Sequence, residues 1–295
     1  MTAHARKLAY SGMACAITAT ACFAVLDTTN KFLIASVPLL MVLWFRYAFQ
    51  AVATTAVMWP RRGMTLFRTQ SFKLQMVRGL LLLMCSVLAF ASLRRMPVAE
   101  FSAIAMLTPL VVTLLARCVM KEKVSRLRWL FVIGGLCGAL LIVRPGGSMD
   151  ASSAWLPLVM VLSYASFQIL TSHMAKTESP ITMHLYTGWV GTVIASVMVL
   201  GAWTTDLSLF QWVLMCVVGL MGTMGHYLLI VAFSRASAAT ITPVLYSSIA
   251  FATLGGWLVF SHVPDQIAML GMLLIALCGL GAGWLSVRER TLTSD

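Results

Sequence analysis

Asp27 and Lys31 stand four residues apart in an otherwise apolar stretch, with Asn30 between them. The acid precedes the base, which is the favourable sense for an i,i+4 pair on a helix. Two readings are open. In one, the pair neutralises itself and Lys31 snorkels to a polar boundary. In the other, both line a cavity, where Lys31 meets a ligand carboxylate and Asp27 an amine or a proton. Arg46, beside Tyr47, lies well inside the next apolar run. A guanidinium stays charged, so it needs an anion, carbonyls or water. Asp27 would satisfy it structurally. A ligand carboxylate would do so functionally, because its two oxygens match the fork. Tyr164 and Gln168, one turn apart, offer a hydroxyl and an amide. His226 is either a neutral packing residue or a proton-responsive group, its ordinary pKa being about 6.5. Trp189 and Tyr246 lie deep in their runs, as do Trp44, Tyr186 and Trp257. They either pack or form a wall for an apolar or cationic ligand. The candidate ligand-binding set is therefore Asp27, Asn30, Lys31, Arg46, Tyr47, Tyr164, Gln168, Trp189, His226 and Tyr246.

This chemistry is recognition and proton movement. No nucleophile–base pair, metal-ligand cluster or nucleotide-binding loop is present in the pattern, so no catalytic residue, metal or cofactor is expected. Asp27 and His226 are the deep ionisable groups that are not permanently cationic in practice. Proton coupling would run through one of them, with exchange or facilitated diffusion as the rival. Glu100, close to Arg94 and Arg95, reads as an interfacial salt-bridge partner, and Arg78 as a topology or gating charge.

The elements that position these residues follow from composition. Of 295 residues, 60% are hydrophobic and 10% charged, with a mean hydropathy of +0.91. An ordinary soluble domain carries about 25% charged residues. Soluble, disordered and disulfide-scaffold classes are excluded. Ten apolar runs, at 11–33, 38–59, 75–93, 98–118, 127–144, 154–174, 182–203, 211–233, 239–260 and 266–286, are each about long enough to cross a bilayer as a helix. They are too long and too uniformly apolar for barrel strands. The seven cysteines fall in or at the ends of these runs without paired spacing, and read as small packing residues. The first run continues past Asp27 and Lys31, which predicts a retained span and not a cleaved leader.

The net charge of +12 does not point to nucleic acid, because the basic residues sit in short loops. They act as topology signals. With a cytoplasmic N-terminus, fifteen Lys and Arg fall inside and three (Arg94, Arg95 and Arg144) outside. Both termini are then cytoplasmic, and the 145–153 and 204–210 loops external. A bacterial inner membrane is favoured. The chain also repeats. Arg95 matches Arg235, Ala99 matches Ala239 and Leu130 matches Leu270, all at an offset of 140. Leu136-Cys137-Gly138 matches Leu277-Cys278-Gly279 after one insertion. Two five-span halves, 1–148 and 149–295, give an inverted-topology repeat, because five is odd. That architecture presents one site alternately to each face. The expected fold is an all-α integral membrane protein of ten transmembrane helices.

Several segments carry a family resemblance. Met76-Val-Arg-Gly79, Ala91 to Glu100, Leu107-Thr-Pro-Leu110, Lys121-Glu-Lys123 and Ile142-Val-Arg-Pro-Gly146 resemble the first half of the EamA-type drug/metabolite transporter superfamily. Gly225-His-Tyr-Leu228, Ala232 to Ala236, Thr242 to Tyr246 and Gly255-Gly-Trp257 fit the second half. Asp27…Lys31 and Trp44-Phe-Arg46 are similar to a branch with carriers of amino-acid derivatives such as S-adenosylmethionine. The resemblance implies a secondary carrier without ATP, and it supports a role for Arg46 in the cavity. Two positions depart from the pattern. Ser261-His262 stands where span nine often ends in Gly-Glu. Ile249 stands where the second half often has a proline matching Pro109, so a break in span nine like that in span four is not expected.

The expected function is a secondary active transporter moving a small organic metabolite, an amino acid or an amino-acid or nucleoside derivative, by alternating access. The partners are that solute, the lipid bilayer and possible coupling protons, with no nucleic acid, in a monomer or homodimer. A multidrug exporter of the same fold is the alternative. An integral-membrane enzyme or a channel is the alternative from another class.

Overall fold

The computed structural model describes residues 3–108, 110–112, 115, 126–143, 155–175, 177–235, 241 and 244–292. All regular structure among them is helical. In chain order the helices are α1 (Ala3–Leu33), α2 (Leu39–Arg62), α3 (Phe72–Leu93), α4 (Val98–Ala105), α5 (Arg126–Val143), α6 (Trp155–Met174), α7 (Pro180–Val199), α8 (Leu209–Arg235), α9 (Ser247–Phe260) and α10 (Gln266–Leu292). They fall on the ten apolar runs. Five of them are long and apolar enough to span a membrane, and five further apolar helices are shorter. The loop 145–153, Lys121-Glu122-Lys123, Pro109 and Thr242-Pro243 lie outside the described residues.

In a bilayer each span must satisfy its own backbone, which a helix does internally. Proline and acidic residues set the starts. Pro38 and Pro97 precede α2 and α4, and Pro180 opens α7. The Asp265 carboxylate accepts from the Ala268 amide at 2.8 Å at the start of α10. Glu178, just before α7, accepts from the Thr69 hydroxyl at 2.6 Å and from the amides of Gln70 and Ser71 at 2.8 and 3.0 Å. One acid thus holds the entry to α3 from the other half of the chain.

The packing pairs exchange under a shift of five helices. α1 on α8 is matched by α6 on α3, α2 on α8 by α7 on α3, and α1 on α9 by α6 on α4. α2 with α7, α4 with α9 and α5 with α10 pair each helix with its own counterpart. This is the contact pattern of two inverted five-helix repeats. Glycines permit the closest approaches. A Cβ on Gly138 of α5 would lie 2.8 Å from the Gly271 carbonyl of α10, so the small-residue face is an interface.

Both halves carry a break at one level. α4 turns at Met106–Leu107, immediately before Thr108. α9 begins after a turn at Tyr246, 140 positions later. The expectation of an unbroken span nine is therefore corrected. Ile249 donates its amide to the Tyr246 carbonyl at 3.2 Å, so this break does not depend on a missing N–H at position 249. Ser261 takes a φ of 52° at the end of α9, a left-handed cap that glycine adopts more readily.

Candidate functional site

A cavity of about 120 Å³ lies between the halves at the level of the two breaks. α1 contributes Thr20, Phe23 and Asp27, and α2 contributes Arg46. α3 contributes Cys85 and Ser86, α6 Tyr164 and Gln168, and α8 His226. Met106 and Ser248, at the breaks, complete the ring with Phe101, Ser102 and Thr108. The lining is mainly apolar, with a few polar groups that converge. That composition suits a pocket for a small organic molecule.

An acid and a base, Asp27 and Arg46, face this space without forming an ion pair. Arg46 is 5% exposed and donates from Nη2 to the Ser86 hydroxyl at 2.8 Å. Its Nε has no partner. Asp27 makes no hydrogen bond or ion pair with another described residue. The structural alternative, an Asp27–Arg46 pair, is not formed. Nor is the Asp27–Lys31 pair. His226 sits edge-on to Phe23, ring centroids 4.9 Å apart.

Of the ten expected site residues, Asp27, Arg46, Tyr164, Gln168 and His226 line the cavity. The other five do not. Lys31 reaches the end of α3, where its ammonium donates to the carbonyls of Leu93 at 2.8 Å and Met96 at 2.6 Å. Asn30 is 0% exposed, and neither atom of its amide has a partner among the described residues. Tyr47 is sealed behind Arg46, its hydroxyl 2.8 Å from Ser86. Trp189 faces outward, 37% exposed, and donates to Thr55 at 3.2 Å. Tyr246 is buried where Gly279 of α10 makes room for its ring. Of the two readings of the deep aromatics, packing holds for Trp189 and Tyr246, and Phe23, Phe101 and Tyr164 supply the aromatic lining. Lys31→Met should cost roughly 1–3 kcal/mol of stability through the loss of charge-assisted hydrogen bonds, while ligand binding persists. Thermal unfolding and ligand titration of the purified variant check both parts, and loss of binding at unchanged stability would contradict this placement.

Two further charges differ from expectation. Glu100 is buried and meets His262 at 3.0 Å, not Arg94 or Arg95. Arg78 is 1% exposed and no loop charge. It donates from Nε to Thr171 at 2.7 Å, and from Nη1 to the Met183 carbonyl at 2.8 Å and Thr187 at 2.6 Å. Arg78 therefore ties α3 to α6 and α7.

Residues 10–144, and again 151–281, match the EamA-like transporter family. The chain belongs to that family. It is a multi-pass membrane transporter and not an enzyme. Among its relatives, a pseudopaline exporter, CntI, of Pseudomonas aeruginosa is 26% identical over 90% of this chain and 93% of its own. A riboflavin transporter of Vibrio cholerae is 26% identical over 71% of each chain. An S-adenosylmethionine uptake transporter of Rickettsia bellii is 25% identical over 84% of this chain and 85% of its own. A crystal structure 14% identical superposes with a TM-score of 0.65, covering 98% of this chain and 99% of that one, which shows the shared fold.

In this EamA transporter, sequence reading passed over Ser86, Ser102, Thr108, Thr20 and Ser248 as lining groups. Hydroxyls on apolar helices usually bond their own backbone, as Ser86 does to Leu82. Only their shared level around the two breaks marks them. His184 was also passed over. It is buried beside Gln50, whose amide donates to the His184 carbonyl at 3.0 Å.

Proposed function

We propose that this EamA transporter is a secondary carrier for a small organic metabolite bearing both a carboxylate and an amine, an amino acid or an amino-acid or nucleoside derivative. One observation carries the reading: Arg46 and Asp27 face the same cavity and do not pair. Ionisable residues inside a membrane protein are costly, and they normally mark a solute or ion pathway. A zwitterionic solute would satisfy both, its carboxylate on the Arg46 fork and its amine at Asp27. Tyr164 and Gln168 would hold polar groups between them, and Phe23 and Phe101 an apolar or ring portion. The Rickettsia relative named for S-adenosylmethionine supports an amino-acid derivative. The aromatic lining and the Vibrio relative named for riboflavin favour, as a second reading, a neutral ring system.

A ligand-dependent thermal-shift screen separates the two readings. The panel contains amino acids, S-adenosylmethionine, nucleosides, riboflavin, polyamines and sugars. Stabilisation by solutes with both charges, lost when the carboxylate is removed, is the expected result. Stabilisation by riboflavin alone would contradict it.

Alternating access around the cavity fits the inverted repeat, and the protein is assigned to a bacterial inner membrane with both termini cytoplasmic. The charge bias of the loops supports that orientation. In a background free of other cysteines, an impermeant thiol reagent on intact cells should label Thr205→Cys and spare Met64→Cys, both at exposed loop positions. The reverse pattern would invert the topology.

A further inference from the structure

Tyr47 and Ser86 form a buried mount behind the cavity cation. Ser86 Oγ has one hydrogen and two lone pairs. The hydrogen goes to the Leu82 carbonyl at 2.8 Å, one turn back on α3. The lone pairs then accept from Arg46 Nη2 and from the Tyr47 hydroxyl, each at 2.8 Å. Every hydrogen-bonding capacity of that hydroxyl is used. The Arg46 guanidinium carbon lies 4.7 Å from the centroid of the Tyr47 ring, so the ring is a shelf for the fork. The shelf cannot retreat or tilt freely, because it is 0% exposed and rests on Gly191 of α7. A Cβ at position 191 would come within 2.2 Å of the ring. The stem of Arg46 is also confined: a Cβ on Gly222 of α8 would lie 3.2 Å from its Cγ.

We propose that Ser86 and Tyr47 are positioning residues that fix the plane of the Arg46 fork and thereby set the carrier's preference for a carboxylate over a neutral group at that position. The proposal rests on the reading that Arg46 receives the solute carboxylate. A side chain held in one orientation loses less freedom on binding, and a planar fork rewards a planar, two-oxygen partner. A fork released from its mount still carries its charge, so it attracts anions but discriminates less among them. Tyr47 thus contributes to recognition without touching the cavity, and Ser86 contributes through Arg46 although it lines the cavity.

The test compares binding of S-adenosylmethionine with that of its decarboxylated form, which keeps the amine and the ring system. The proteins are wild type, Ser86→Ala, Tyr47→Phe, Ser86→Thr and Arg46→Ala. Losing one hydrogen bond in the mount should weaken binding of the carboxylate form about 3- to 10-fold in Ser86→Ala and Tyr47→Phe. The decarboxylated form should change less than about twofold in both, so the selectivity ratio collapses. Ser86→Thr, which keeps the hydroxyl, should restore the ratio. If Arg46→Ala weakens the carboxylate form but neither mount variant changes the ratio, the positioning proposal is overturned and the Arg46 reading stands. An equal loss for both forms makes the mount merely structural and also overturns it. If Arg46→Ala leaves the ratio unchanged, the underlying reading falls and the proposal with it.

Discussion

Arg46→Ala should weaken solute binding by about one to two orders of magnitude, and transport with it, while the protein still inserts and folds; that is the largest single effect expected. The guanidinium is the one permanent cation lining the cavity among the described residues. It donates to Ser86, and no carboxylate among the described residues forms an ion pair with it. Removing it deletes a charge-assisted interaction worth about 1.5–3 kcal/mol, or about 10- to 150-fold in affinity. Folding should suffer less, because the change removes a buried charge along with its hydrogen bond to Ser86. Arg46→Lys should recover little, since an ammonium is a point charge without the fork and cannot lie flat on the Tyr47 ring. Equilibrium binding and vesicle uptake of the same purified variants separate the effects. Normal transport by Arg46→Ala would reduce the guanidinium to a packing residue.

The second large effect concerns energy coupling. We propose that Asp27 carries the proton if transport is proton-coupled. Asp27→Asn should then lose accumulation driven by a pH gradient and retain exchange of labelled for unlabelled solute. Coupling needs a group that changes charge where solute and bulk water can alternately reach it. Asp27 meets that geometric condition, because it lines the cavity and forms no ion pair or hydrogen bond with another described residue. The other titratable groups around the same space are Arg46, Cys85, Tyr164 and His226. Of these, His226 is the rival, its ordinary pKa lying nearest neutrality. Asparagine keeps the shape of the protonated acid, so cavity volume is nearly preserved; the solute amine loses its charged partner, so exchange is measured at saturating solute. Unchanged pH-driven accumulation in Asp27→Asn would move coupling to His226 or remove it. His184 is no equal candidate, because it is buried beside Gln50 and does not line the cavity.

The ten spans and the repeat were legible because bilayer thickness imposes a length on each helix and the repeat imposes a period. The site was legible where a charge had no packing reason to be inside, as for Asp27 and Arg46. Reading failed where reach and helical phase decide. Asp27 and Lys31 share a face by spacing, yet the long lysine stem reaches the free carbonyls at the end of α3. Trp189 sits between Gly188 and Gly191, and those glycines turn their face to α2. The indole one residue on is therefore turned outward. Tyr246 and Gly279 are distant in sequence, so nothing local announces that the ring fills the space above that glycine. Glu100 has two arginines nearby in sequence but pairs with His262, which the return of α9 delivers from the other half.

Counterflow in proteoliposomes shows whether Arg46 receives the carboxylate of a transported solute. Vesicles containing wild type or Arg46→Ala are loaded in turn with individual amino acids, S-adenosylmethionine, riboflavin or a sugar, and entry of the same labelled solute is followed without any ion gradient. Wild type should show counterflow for at least one solute carrying both a carboxylate and an amine, and Arg46→Ala should show at least about tenfold less for that solute. Counterflow confined to solutes without a carboxylate, or equal counterflow in the two proteins, would contradict that role of Arg46.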